Sequence, residues 1–125
     1  MPQPAHEIKT LECWRSWPQY LEMSKTVAVA QLTDIPPGAS LIVEAEGISV
    51  ALFNVGGRIY ALENTCPHAG GPLGEGYLEG DVVICPWHRW RYNVRSGHKV
   101  GNPEIAVACY PVEIHGNQIS LVVGG

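Results

Sequence analysis

Four residues, in two short stretches, have the types and spacing to do metal chemistry. Cys66 and His68 stand in Cys66-Pro67-His68-Ala69-Gly70-Gly71-Pro72, and Cys85 and His88 stand in Cys85-Pro86-Trp87-His88-Arg89-Trp90. Each stretch offers one thiolate and one imidazole. Thiolate is a soft anionic donor that binds ferric iron. Imidazole is neutral, so an iron held by two His is less negatively surrounded than one held by two Cys. The set suits iron–sulfur chemistry. A mononuclear Cys2His2 zinc site is the alternative, but structural zinc usually leaves roughly two to four residues between paired ligands, and only Pro67 separates Cys66 from His68. Four unrelated buried residues would be the blander account, and two Cys-Pro pairs each closely followed by His argue against it.

Loops must present these residues, and the chain around them reads as strands and turns. Ten prolines and fourteen glycines against one phenylalanine imply many turns and short strands. Strands are expected at Thr26 to Leu32, Ser40 to Glu46, Ile48 to Val55 and Arg58 to Glu63, with Gly56-Gly57 as a two-residue hairpin turn. Asn64-Thr65 delivers the chain into the first ligand loop. Gly74 to Gly80 reads as a turn-rich stretch. Asp81 to Ile84 is a strand carrying Cys85, and Trp90 to Val94 is its return. Tyr110 to Ile114 and Gln118 to Val123, joined at Gly116-Asn117, close an all-β antiparallel domain with the ligand loops as a small inserted subdomain.

The doubled Cys-x-His and Cys-x2-His motif, with Pro67, Gly70, Gly71 and Pro86 in place, resembles the Rieske family from about Val27 to Val123. The resemblance implies a Rieske fold of antiparallel sheets and one [2Fe-2S] cluster, with Cys66 and Cys85 on one iron and His68 and His88 on the other. It also implies supporting roles for Gly70, Gly71, Trp87, Trp90, Tyr92 and Pro103. Respiratory members carry an extra Cys in each loop, bridged by a disulfide; the matching positions here are Gly71 and Trp87. They place a hydroxyl donor where this chain has Trp90, while Tyr92 matches a tyrosine of the family. Fewer donors to the cluster stabilise its reduced charge less, so a low potential is expected. Arg89 stands where the family commonly has Gly. If that position needs a positive φ, Arg89 implies strain or a shifted turn. Pro103 fits the family's proline-rich third loop.

The organisation expected is an N-terminal extension over 1–26 and a Rieske domain over 27–125, with the cluster-binding subdomain at about 64–98. Ile8, Leu11, Trp14, Trp17 and Leu21 recur at helical spacing, so the extension reads as an amphipathic segment, interrupted by Pro18. Cys109, in the apolar run Ile105 to Tyr110, reads as a small buried hydrophobe rather than a disulfide partner of Cys13. The net charge of −4 and the scarcity of basic residues give no nucleic-acid surface. No apolar run approaches the ~20 residues needed to cross a membrane, and no export signal is evident, so a cytoplasmic, soluble protein is expected.

No second set of two His and a carboxylate and no dinucleotide-binding glycine motif is present. The chain therefore reads as an electron carrier rather than an enzyme. The resemblance implies a flavin-dependent reductase as donor and an oxygenase or other reductase as acceptor. Arg89, next to His88 in the sequence, is expected within the docking footprint. The small subunit of an assimilatory nitrite reductase and a non-redox regulatory or scaffold module are the alternatives.

Overall fold

The computed structural model describes residues 24–65, 70–87 and 89–124. The central feature is a hairpin of two strands that are apolar on both faces. These are β3 (Ile48–Val55) and β4 (Arg58–Glu63), joined by Gly56-Gly57 with both glycines at positive φ. Along β3, Val50 and Leu52 enter one core while Ala51 and Phe53 enter another; along β4, Ile59 and Ala61 divide from Tyr60 and Leu62 in the same way. A strand buried on both sides has no polar face to alternate with, and this is why Val50 to Phe53 is an unbroken apolar run. Full burial of a side chain such as Leu52 or Phe53 contributes about 1.5–3 kcal/mol.

This hairpin anchors the middle of three antiparallel sheets. With β2 (Ser40–Ala45) and β10 (Cys109–Tyr110) it forms a four-stranded sheet in the order β10-β4-β3-β2. On one side lies β1-β12-β11, made of β1 (Ser24–Gln31), β12 (Gln118–Gly124) and β11 (Val112–His115). Val112, Ile119 and Leu121 from it close one core. On the other side lies β5-β6-β7-β8-β9, made of β5 (Tyr77–Glu79), β6 (Val82–Ile84), β7 (Arg91–Asn93), β8 (His98–Lys99) and β9 (Asn102–Ala106). Val83, Cys85, Tyr92 and Val94 close the other core.

The architecture is the expected all-β one, with local differences: β8 and β9, where no strand was expected, complete the five-stranded sheet. Tyr77–Glu79, expected within a turn-rich stretch, is a strand paired residue for residue with Val82–Ile84. Gly76 and Gly80 bracket it so closely that three residues show no period of their own. Tyr110 to Ile114, expected as one strand, is two: Cys109–Tyr110 pairs with β4, and Val112–His115 pairs with β12. Pro111 lies between them and has no N–H for a ladder, so the chain leaves one sheet there and joins the other. β1, expected from Thr26, begins two residues earlier at Ser24, because its pairing with β12 runs on to Ser24↔Gly124. The amphipathic segment with Trp14 and Trp17 lies outside the described residues.

Candidate metal centre

Of the four candidate ligands, Cys85 is described; Cys66, His68 and His88 lie outside the described residues. Cys85 follows β6 directly, fully buried in the core between the middle and the five-stranded sheets. It is outside any disulfide. Cys109, buried in the same core, is disulfide-bonded, which corrects the expectation of a lone buried thiol. Pairing is decided by proximity in space, and sequence spacing does not report it.

Backbone hydrogen bonds close both ligand loops at their bases. Cys85 N–H donates to the Trp90 carbonyl at 2.7 Å, and Arg89 N–H donates to the Cys85 carbonyl at 2.9 Å. The second loop is thus a tight turn, and Arg89 occupies it at φ 63. The expectation of strain at this position holds: a left-handed conformation costs a residue with a Cβ about 1–2 kcal/mol. The first loop is closed by Asn64, whose role was not legible in the sequence. Its carbonyl accepts from Leu73 N–H at 2.7 Å, and its Oδ1 accepts from Gly74 N–H at 2.8 Å. Its Nδ2 donates to Ser49 Oγ at 3.2 Å. Thr65 bridges Pro72 beside it. Asparagine before a glycine-rich loop is a turn signal, and that would have been the clue.

Gly71 joins the two loops. A Cβ placed there would lie 2.9 Å from Trp87 Cγ and 3.0 Å from Cys85 Sγ. Any side chain would collide with both, so the glycine lets the first loop lie against the sulfur of the second. Gly71 and Trp87, the positions that the resemblance matches to bridging cysteines, therefore face one another, with the indole against Gly71. Gly70, beside it, is exposed at φ 79. Trp87 remains 57 % exposed, so it is also available to a partner.

The expected supporting residues divide by environment. Tyr92 is fully buried in the core that holds Cys85. Trp90 packs on that core, with Lys99 Nζ 4.7 Å from its ring centroid, a cation–π contact. Pro103 sits in β9, an edge strand, where its missing N–H is tolerated. The basic residues that follow the second ligand loop, Arg89, Arg91, Arg95 and Lys99, divide in the same way. Arg95 lies 4.0 Å from Asp81, and Lys99 is held over Trp90, whereas Arg89 and Arg91 are exposed and unpaired among the described residues.

Replacing Arg89 by Gly should raise the melting temperature, by roughly 3–6 °C for about 1 kcal/mol of relieved strain. A lower melting temperature, read by circular dichroism, would show that Arg89 side-chain contacts outweigh its backbone strain.

Comparison with known proteins gives one consistent family. A family model described as the Rieske [2Fe-2S] domain matches residues 25–111. The ferredoxin component of the naphthalene 1,2-dioxygenase system of Pseudomonas aeruginosa is 36% identical over 98 residues, covering 78% of this chain and 94% of that protein. The ferredoxin of carbazole 1,9a-dioxygenase from Nocardioides aromaticivorans IC177 superimposes with a TM-score of 0.73 at 31% identity, over 81% of this chain and 99% of that one. A ferredoxin in a solved complex of reduced oxygenase and oxidized ferredoxin in carbazole 1,9a-dioxygenase matches with a TM-score of 0.71 at 32% identity, over 77% of this chain and 91% of that one. Among the described residues no helix is long and apolar enough to cross a membrane.

Proposed function

This chain belongs to the Rieske [2Fe-2S] domain family and is an electron carrier with one such cluster, and we propose that Cys66, His68, Cys85 and His88 hold it. The observation that carries this assignment is the buried Cys85 sulfur, outside any disulfide, at the point where Gly71 brings the first loop against the second. A thiol buried there, with a second Cys and two His on the two loops, is the donor set that such a cluster takes. When bound, the cluster takes up and releases one electron.

The chain's own residues do the rest. Asn64 and the turn closed at Trp90 hold the loops at fixed separation. Trp87 and Gly71 cover the Cys85 sulfur. Tyr92, Leu73 and Val83 keep water from beneath it. His68 and His88 are the ligands with a second ring nitrogen to present outward, so partners dock over that edge. We further propose a flavin-dependent reductase as donor and a ring-hydroxylating oxygenase as acceptor, in a cytoplasmic system. The similar ferredoxins named for dioxygenase systems, and the ferredoxin solved in complex with its oxygenase, support that pairing.

A redox titration of anaerobically purified protein tests the reading. One electron per chain should be taken up in a single wave. Because Trp90 stands at the hydroxyl-donor position, the midpoint should lie near the low end of the family range, roughly −150 mV rather than +300 mV. A two-electron wave would overturn the carrier assignment. A midpoint above about +100 mV, within that range, would show that other groups donate to the cluster.

A further inference from the structure

The outer face of the five-stranded sheet carries a second feature, next to the ligand loop but distinct from its tip. Tyr77 pairs with Ile84, and Ile84 pairs with Arg91, so the three stand in one row across β5, β6 and β7. Directly paired residues project to the same side of a sheet. The neighbouring row, Leu78, Val83 and Tyr92, faces the core, with Val83 and Tyr92 fully buried. The first row therefore faces out. Tyr77 is 68% exposed, the most exposed large apolar side chain described. Between this row and the second ligand loop lies a recess of about 320 Å³, lined by Tyr77, Glu79, Ile84, Pro86 and Arg89.

Three observations make this a contact surface. Its apolar part is an exposed aromatic beside Ile84 and Pro86, and exposed aromatics and arginines are the residues that dominate protein interfaces. Its charged part is Arg89 in the recess and Arg91 in the row beside it, both unpaired among the described residues, with Glu79 the acid among the described lining residues, although the whole chain carries −4. Its position adjoins the second ligand loop, since Pro86 follows Cys85 and Arg89 closes the turn on the Cys85 carbonyl. The left-handed backbone at Arg89 places a long cation where the shortest turn would take glycine.

We propose that this recess is an anchoring site for a redox partner protein that presents a carboxylate next to an apolar side chain. The carboxylate meets Arg89 and Arg91, and the apolar group packs on Tyr77, Ile84 and Pro86. The anchor fixes the partner's orientation while one electron leaves the reduced protein and one enters the acceptor. It rests on the carrier reading above and adds the sign of the partner's charge, which the net charge of this chain would give the other way.

The test uses the full chain, reduced with dithionite and freed of excess reductant, in stopped-flow oxidation by three probes. Ferricyanide, a small anion, reads the exposed edge alone. Plastocyanin is an acidic acceptor protein and cytochrome c a basic one. The plastocyanin rate should fall as ionic strength rises, as for attraction between unlike charges, and Arg91→Glu should slow it about tenfold at low salt. Tyr77→Ala should slow plastocyanin about three- to fivefold at every salt concentration, the loss of a modest apolar contact, and leave ferricyanide unchanged. A plastocyanin rate that rises with salt in the wild type, or is indifferent to both substitutions, overturns the anchor. A reduced protein that ferricyanide cannot oxidise overturns the carrier reading itself, and the anchor with it.

Discussion

Replacing Cys85 by Ser is expected to leave the protein without iron and without acid-labile sulfide, and to lower its melting temperature by roughly 10–20 °C, the equivalent of about 4 kcal/mol. The sulfur is fully buried where the two loops meet, and a serine oxygen there is a harder donor that iron–sulfur chemistry does not favour. A group that binds the folded state alone adds its binding energy to folding. The loops it joins are otherwise tied by the Gly71–Trp87 contact and by backbone bonds at their bases. Iron and sulfide analysis of protein from iron-replete cells, with a melting curve of wild type and variant, gives the result. Wild-type protein with one zinc and no sulfide would refute the cluster. A Cys85→Ser protein that keeps its sulfide would refute Cys85 as a ligand.

The second large effect is expected at Gly97, on the turn from β7 to β8. Its φ is +82, and a Cβ there would lie 2.4 Å from the Val107 carbonyl oxygen. That oxygen is backbone, on a segment held to the turn by Val107 N–H donating to the Gly97 carbonyl at 2.9 Å, so it cannot swing aside. Gly97→Ala therefore combines left-handed strain of about 1–2 kcal/mol with a collision of about 1–3 kcal/mol, a loss of roughly 2–5 kcal/mol. Gly101 provides the control. Its φ is +88 but a Cβ there would meet nothing within 4 Å, so Gly101→Ala carries the strain alone. Thermal melts of the three proteins separate the two contributions. A Gly97→Ala protein that melts no lower than Gly101→Ala would show that the Val107 segment moves freely.

The sequence by itself determined the chemistry and the fold class of this protein. Residue type and local spacing carry metal chemistry, so Cys66, His68, Cys85 and His88 stand out as the proposed ligands from the sequence, and the Gly56-Gly57 hairpin, whose turn and flanking strands are local, is found as expected. At Arg89 the resemblance, which has Gly there, left strain or a shifted turn open, and the backbone at φ 63 decided for strain. The tertiary structure decided whatever depends on residues far apart in the chain. The three-residue strand at Tyr77 exists because Val82–Ile84 pairs with it, and the break at Pro111 matters because two different sheets lie on either side. The disulfide at Cys109 and the clamp at Asn64 are likewise products of proximity. So is the Gly71–Trp87 contact, at the two positions that the resemblance marked as a lost disulfide. The basic stretch shows the division within one segment: the sequence placed Arg89, Arg91, Arg95 and Lys99 together, and packing then engaged Arg95 with Asp81 and Lys99 with Trp90. Register alone put Arg91 in line with Tyr77 beside the ligand loop, because strand pairing, not chain order, sets which side chains share a face.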